Sequence, residues 1–282
     1  MDRKDLKEKL LKIGDLATLP VVAYNVMQLT QNPKASAMDV GKAISQDPAL
    51  TSKVLKIANS SFYGFPQKIS TINNAIVILG FSNIRNIVIS AGIIDAYKVE
   101  KSSAHFDRTE FWKHSLACGI TSKIIASTVG LKNSEEAFIW GILHDIGKIV
   151  MDTYIHEEYS QVVQTAKEKG MLIVDAEQTY LGFNHTTVGT LVARKWNMPP
   201  ALLKVIRYHH NPVLDYNSLR ISSIVHLADI LCRTLDLGSG GDNEIPIVNE
   251  KSWDLMNLDK QTVKTIFAEM EKEYESATAF LH

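Results

Sequence analysis

An all-α fold is expected for this 282-residue chain on three grounds. Apolar residues recur at helical spacing, as in Leu50, Val54, Leu55 and Ala58. Helix-start chemistry is clear at Asp47-Pro48: the aspartate suits an N-cap, and proline in the first turn lacks only an N–H that has no helical partner. The Val/Ile-rich run from Ile87 to Ile94 shows no period-two alternation, so it reads as buried helix rather than strand.

The elements follow in order. Residues 3–13 place Leu6, Leu10, Leu11 and Ile13 on one side of a charged helix. Val21, Val22, Val26, Met27 and Leu29 form the next apolar face, broken by Pro33. Asp39 is read as the cap of a helix over 40–45. Residues 59–70, rich in Ser, Gly and Pro, form a loop. A helix over 71–79 stops at Gly80, and Ser82 or Asn83 opens another through Ile94. The polar stretch 99–109 is the best boundary between lobes. Helices are expected near 110–128, 134–150, 156–169, 173–196, 199–210 and 218–235. Residues 237–249 look the most flexible; their GSGG lacks the Lys-Ser/Thr of a phosphate-binding loop and is read as a linker. The tail, with Trp253, Met256, Ile266 and Met270, is one or two amphipathic helices. The expected organisation is an N-terminal helical lobe over 1–100, a second helical lobe over 101–236, and a loop with C-terminal helices over 237–282 packing on the second lobe.

With 30 Lys+Arg against 31 Asp+Glu, the net charge of -1 lacks the basic excess of a dedicated nucleic-acid binder. Cys118 and Cys232 each sit in an apolar stretch outside any CxxC motif, as buried thiols in a reducing cytoplasm do. The first residues show no signal-peptide core, and the longest apolar run falls far short of the roughly 20 residues of a membrane span. A soluble cytoplasmic protein, with no membrane or nucleic-acid partner, is expected.

The chemistry-bearing residues lie in six separate places: Glu110 with His114, His144-Asp145 with Lys148, His185, His209-His210, and Asp229. Imidazole with carboxylate suits Fe, Mn, Zn or Ni. Each place also has an ordinary explanation. Glu110 and His114, four apart, share a helix face that solvent alone would satisfy. His144-Asp145 lies in a mostly buried helix; burying two ionisable groups is costly unless a metal or a hydrogen bond between them compensates. Gly147 keeps that surface low for another backbone, and Lys148 can pair with Asp145 or touch a phosphate. His185 sits at a capped helix start beside Asn184, and His209-His210 at a helix C-terminus, where the helix dipole favours imidazolium. Asp229 shares a polar stripe with Ser222, His226 and Arg233. None of these explanations accounts for the whole set occurring in this order.

The run H…HD…H…HH…D, with Lys148 three residues after Asp145, resembles the HD superfamily of metal-dependent phosphohydrolases, and its spacing is closest to the HD-GYP branch. That resemblance implies that Glu110, His114, His144, Asp145, His185, His209, His210 and Asp229 ligate metal, with Asp145 and Lys148 the catalytic pair and Lys148 on phosphate. Roughly residues 14–235 resemble the HDOD family more closely still, through DLATLPVVAYNVMQL, DPALTSKVLKIANSSFYG, STINNAIVILGFSNIRNIV and FWKHS…GILHDIGK. This likeness implies an all-helical, HD-superfamily-like domain with an added N-terminal helical lobe, and a mainly regulatory role in bacterial signalling. Many HDOD domains have lost metal residues, whereas this chain keeps every position. It reads HHNPVLDYNSL where HD-GYP proteins carry HH-E and a GYP loop; no GYP triplet occurs, which argues against cyclic-dinucleotide recognition.

Two ions are expected, Fe or Mn first and Zn or Ni next, with Asp145 bridging. His114, His144 and Asp229 would hold one, His185, His209 and His210 the other, and Glu110 the second or an extra ion. The leading reading is a regulatory module that binds a signalling partner or a small nucleotide ligand. The alternative is an active phosphohydrolase or phosphodiesterase; O2-dependent di-iron chemistry is a third.

Overall fold

The computed structural model describes residues 17–32, 34–59, 63, 68–97, 105–132 and 134–277. Among them every regular element is a helix. The chain divides into two compact units, one of residues 1–18 and 99–267, the other of residues 19–98 and 268–282.

The smaller unit is built from α1 (Val21–Gln31), α2 (Ala37–Ser45), α3 (Pro48–Ala58) and α4 (Ile72–Ala96). Asp47 caps α3 by accepting from the Leu50 amide, with Pro48 in the first turn, as the sequence predicts. Helix α2 differs from expectation. Its cap is Ser36, and Asp39 sits three residues on, completing a reciprocal capping box. In α1 the buried face is Ala23, Val26 and Met27, while Val21 is exposed, so the apolar stripe starts later than its valines suggest. Helix α4 is capped by Thr71 and kinks at Gly80, whose φ of 81° lies in the region glycine favours. By length and composition α4 alone among the described helices could cross a membrane. Here it is the helix against which α1, α2 and α3 all pack. The expected helix over 3–13, Pro33 and most of the 59–70 loop lie outside the described residues.

The larger unit holds α5 (Arg108–Thr128), α6 (Glu135–Leu143), α7 (Ile146–Tyr154), α8 (His156–Lys169), α9 (Ile173–Leu181), α10 (His185–Lys195), α11 (Pro200–Tyr208), α12 (Leu219–Thr234) and α13 (Glu250–Met256). The division between units falls within α14 (Lys260–Ala277). Helix α5 packs on α6 and α12, and α7 packs on α10. Two expected helices are split. His144 and Asp145 form a break between α6 and α7, and Gly182 ends α9 before Asn184 caps α10. The first break turns the His144-Asp145 pair inward at a junction instead of spreading it along one helix face.

Gly147, next to this junction, allows the approach that builds the core. A Cβ there would stand 2.0 Å from the His185 carbonyl oxygen and 2.8 Å from the Gly189 amide nitrogen, so α7 and α10 meet backbone to backbone. Residues 237–249 are not a free linker. Ser239 N donates to the Glu110 carbonyl, Lys148 Nζ to that of Gly240, and the Ile173 amide to Asp242 Oδ2. Arg233 holds both the Asp242 carboxylate and the Glu244 carbonyl. At Gly238, φ is +74° and a Cβ would stand 2.3 Å from the His114 amide nitrogen. Its glycine serves close contact, not slack.

Candidate metal centre

Side chains from four helices and one helix junction converge in the larger unit. Helix α5 supplies His114 and Cys118, the α6–α7 junction His144 and Asp145, α10 His185, the end of α11 His209 and His210, and α12 Asp229. Their donor atoms form two groups, each with all its members within 4.8 Å of one another: His114, Cys118, His144 and Asp229, and Asp145, His185, His209 and His210. His114, Cys118, His144, Asp145, His185, His209 and Asp229 are all buried; His210 is partly accessible.

Asp145 links the two groups. Its Oδ2 lies 3.2 Å from His144 Nε2 and accepts from Lys148 Nζ at 2.6 Å. Its Oδ1 lies 3.1 Å from His185 Nε2 and 3.4 Å from His209 Nε2. Burial works against its ionisation, but the facing His144, Lys148 and His185 outweigh that and hold the carboxyl well below the usual range. Asp229 behaves alike: burial opposes the charge, and Arg233 and His114 keep it ionised.

The imidazole tautomers follow from what each Nδ1 meets. A carbonyl oxygen can only accept. His144 Nδ1 therefore donates to Gly141 O at 2.6 Å, and His209 Nδ1 to Ile206 O at 3.1 Å and Val205 O at 3.2 Å. His185 Nδ1 donates to Glu177 Oε2 at 2.6 Å. Burial pushes His209 down to about 4, pushes His210 well down and lowers His114, so these rings are neutral at neutral pH. His185 differs: burial opposes its charge, but the Glu177 and Asp145 carboxylates raise it overall. His144 Nε2, His209 Nε2 and Asp145 Oδ1 are buried with no hydrogen-bond partner. The second ring nitrogens of His144 and His209 thus face the Asp145 carboxylate at 3.2 and 3.4 Å, contacts that only a proton or a metal cation between them satisfies. A cation satisfies this arrangement and an empty apolar core does not. The donor set fits divalent metal.

Two predicted residues stand apart. The Glu110 carboxylate pairs with Lys113 at 2.7 Å, is 39% exposed and joins neither donor group. On this turn of α5 the side chain reaches its own-helix lysine, while its backbone carbonyl is taken by Ser239. Lys148 is fully buried, with its ammonium on Asp145 and Gly240 O. It does not line the adjoining cavity.

Sequence reasoning passed over Glu177 and read Cys118 only as a buried thiol. Glu177 is wholly buried; one oxygen takes His185 Nδ1 and the His185 amide, the other the Tyr159 hydroxyl. Ile173, Glu177 and Leu181 share one face of α9 at i,i+4 spacing, so an acid on an apolar stripe was the available signal. Cys118 Sγ lies 3.5 Å from His114 Nε2, one helical turn along α5.

A cavity of about 580 Å³ opens beside His210, with Arg207, Asn184, Thr187, Tyr208 and His226 in its walls. Arg207 is steadied by Thr187 Oγ1 at 2.7 Å. A second cavity of about 480 Å³ shares His210, Asn211 and His226. Access to the centre is therefore on the His210 side, while the Gly238–Asp242 segment packs against the other.

Residues 16–212 match the model of the HDOD domain. The chain belongs to the HDOD family. An HDOD domain protein of unknown function from Geobacter sulfurreducens is 26% identical and superposes with a TM-score of 0.81, covering 98% of this chain and 99% of its own. A Shewanella amazonensis protein whose name proposes a phosphohydrolase is 25% identical, with a TM-score of 0.77 and 97% and 98% covered. A Marinobacter aquaeolei protein whose name proposes signal transduction shares the fold at 21% identity and TM-score 0.77, covering 100% of this chain and 66% of its own. This HDOD chain spans less than half the length of the curated relatives it matches, 44% and 34%.

Proposed function

We propose that this HDOD chain is a cytoplasmic regulatory module for signal transduction, which holds divalent metal at the imidazole–carboxylate centre and binds a partner protein or a small nucleotide. One observation carries the metal reading: the buried, unpartnered Nε2 atoms of His144 and His209 on either side of the Asp145 carboxylate. Two donor groups joined by Asp145 support two ions. His114, His144 and Asp229 serve one; His185, His209 and His210 serve the other. Iron, manganese, zinc and nickel all suit such donors. Elemental analysis of the purified chain tests the reading. Metal present in the native protein and lost in Asp145→Ala supports it; absence of metal even after reconstitution with each of these ions sinks it.

A second reading, a phosphohydrolase acting on a nucleotide or phosphodiester, draws on the cavity beside His210. Metal held by these donors would supply an activated water and stabilisation of charge on a displaced phosphoryl group. The chain's own contribution would be Arg207 as a cationic donor in the cavity wall and His210 at its floor. Hydrolysis of an aryl phosphodiester that disappears in Asp145→Ala would favour the enzyme; no turnover by metal-replete protein would leave the regulatory reading.

A further inference from the structure

Resting on the metal-centre reading, we infer that Cys118 is a thiolate ligand, making the inner position a closed, four-donor site of two imidazoles, one thiolate and one carboxylate that selects a thiophilic divalent ion. Cys118 follows His114 by four residues, so both project from one face of α5. Its Sγ lies 3.5 Å from His114 Nε2. Two ligands of one tetrahedral ion, at about 2.0–2.1 Å for nitrogen and about 2.3 Å for sulfur, stand about 3.6 Å apart. The observed spacing is that of ligands sharing an ion. An independent sign comes from across the group: His144, whose Nε2 is buried and lacks a hydrogen-bond partner, offers a ring nitrogen within 4.8 Å of the sulfur.

Charge points the same way. Two neutral imidazoles, a thiolate and a carboxylate carry two negative charges, which neutralise a divalent ion in a buried place. Arg233, also bonded to Asp229, has its own counter-charge in Asp242. On binding, the Cys118 thiol proton passes to solvent and the sulfur lone pair to the metal. All four residues are buried, so this position has the closed character of a structural site, whereas the other group opens at His210. A thiolate favours zinc, cobalt and iron over manganese, which narrows the choice left by the histidines and acids alone.

Cobalt(II) provides the test, added in increments to the full chain while absorption is recorded. A thiolate-to-cobalt charge-transfer band in the near ultraviolet is expected. Cys118→Ser should abolish the band and weaken zinc binding at this position by more than the about 10–100-fold typical of losing an outer-shell partner. Cys232→Ser should leave the band in place. X-ray absorption of the zinc-loaded wild-type chain should show a sulfur shell at about 2.3 Å, a result that needs no variant to fold. Bound metal without a sulfur neighbour, or a band lost with Cys232 and kept without Cys118, overturns this assignment and leaves the metal centre standing. Failure to bind any ion overturns both.

Discussion

Glu177 Oε2 accepts both the ring Nδ1–H and the backbone N–H of His185, at 2.6 and 2.8 Å. One carboxylate oxygen thereby fixes the tautomer, the ring orientation and the first turn of α10, and aims His185 Nε2 at Asp145. Such carboxylate–histidine pairs raise ligand basicity, and their loss typically costs about 10–100-fold in metal affinity. Glu177→Gln, close in shape but uncharged, should weaken metal binding within that range while helical content stays unchanged. Competition with a chromophoric chelator measures it; undiminished affinity would show that Glu177 only fills space.

Metal removal should destabilise the larger unit, because the facing lone pairs of His144, His209 and Asp145 are left unscreened. Ligand binding to the folded state alone stabilises it by about 2.7 kcal/mol when free ligand is 100 times the dissociation constant. Chelation should therefore lower the melting temperature, and returning zinc or iron should restore it in a concentration-dependent way. Identical melting curves with and without chelator would contradict the centre as drawn.

Much of this architecture was legible in the sequence, and the exceptions share a physical pattern. Local chemistry was readable where it acts alone: the Asp47-Pro48 start of α3 and the Gly80 break in α4 depend on a few adjacent residues. The convergence of His114, His144, His185, His209 and Asp229 was suggested by order along the chain, because no surface explanation covers the whole set. The helix break at His144-Asp145 was not legible. No proline or glycine stands at the break itself, and both side chains are buried there. Glycine was ambiguous for another reason. The same GSGG string encodes either a slack linker or a backbone pressed against a neighbour, and only packing decides. Glu110 shows the limit of helical spacing: sharing a face with His114 did not bring its carboxylate inward, since Lys113 holds it at the surface.

The α3 cap offers a check on the smaller unit. Asp47 accepts from the Leu50 amide at 3.0 Å, satisfying a backbone donor that Pro48 cannot replace. Asp47→Ala should cost about 1 kcal/mol of stability. Urea titration read by a probe placed in residues 19–98 should show this shift, with metal content unchanged.

The segment after α12 yields the last prediction. Asp242 is almost fully buried, accepts from Arg233 Nη1 at 2.8 Å and takes the Ile173 amide at 2.9 Å. Removing one partner of a buried pair costs about 3–5 kcal/mol where the other charge is left wholly uncompensated, and less where it keeps a second counter-charge. In Asp242→Ala, Arg233 keeps Asp229 as its remaining carboxylate and the amide of Ile173 loses its acceptor. The variant should melt at lower temperature and be cleaved by protease within residues 237–249 faster than the native chain. Gly238→Ala should do the same by a different route, since its new Cβ would collide with the His114 backbone while every ion pair stays available. If both variants are cleaved no faster than the native chain, the segment is held by something other than these contacts.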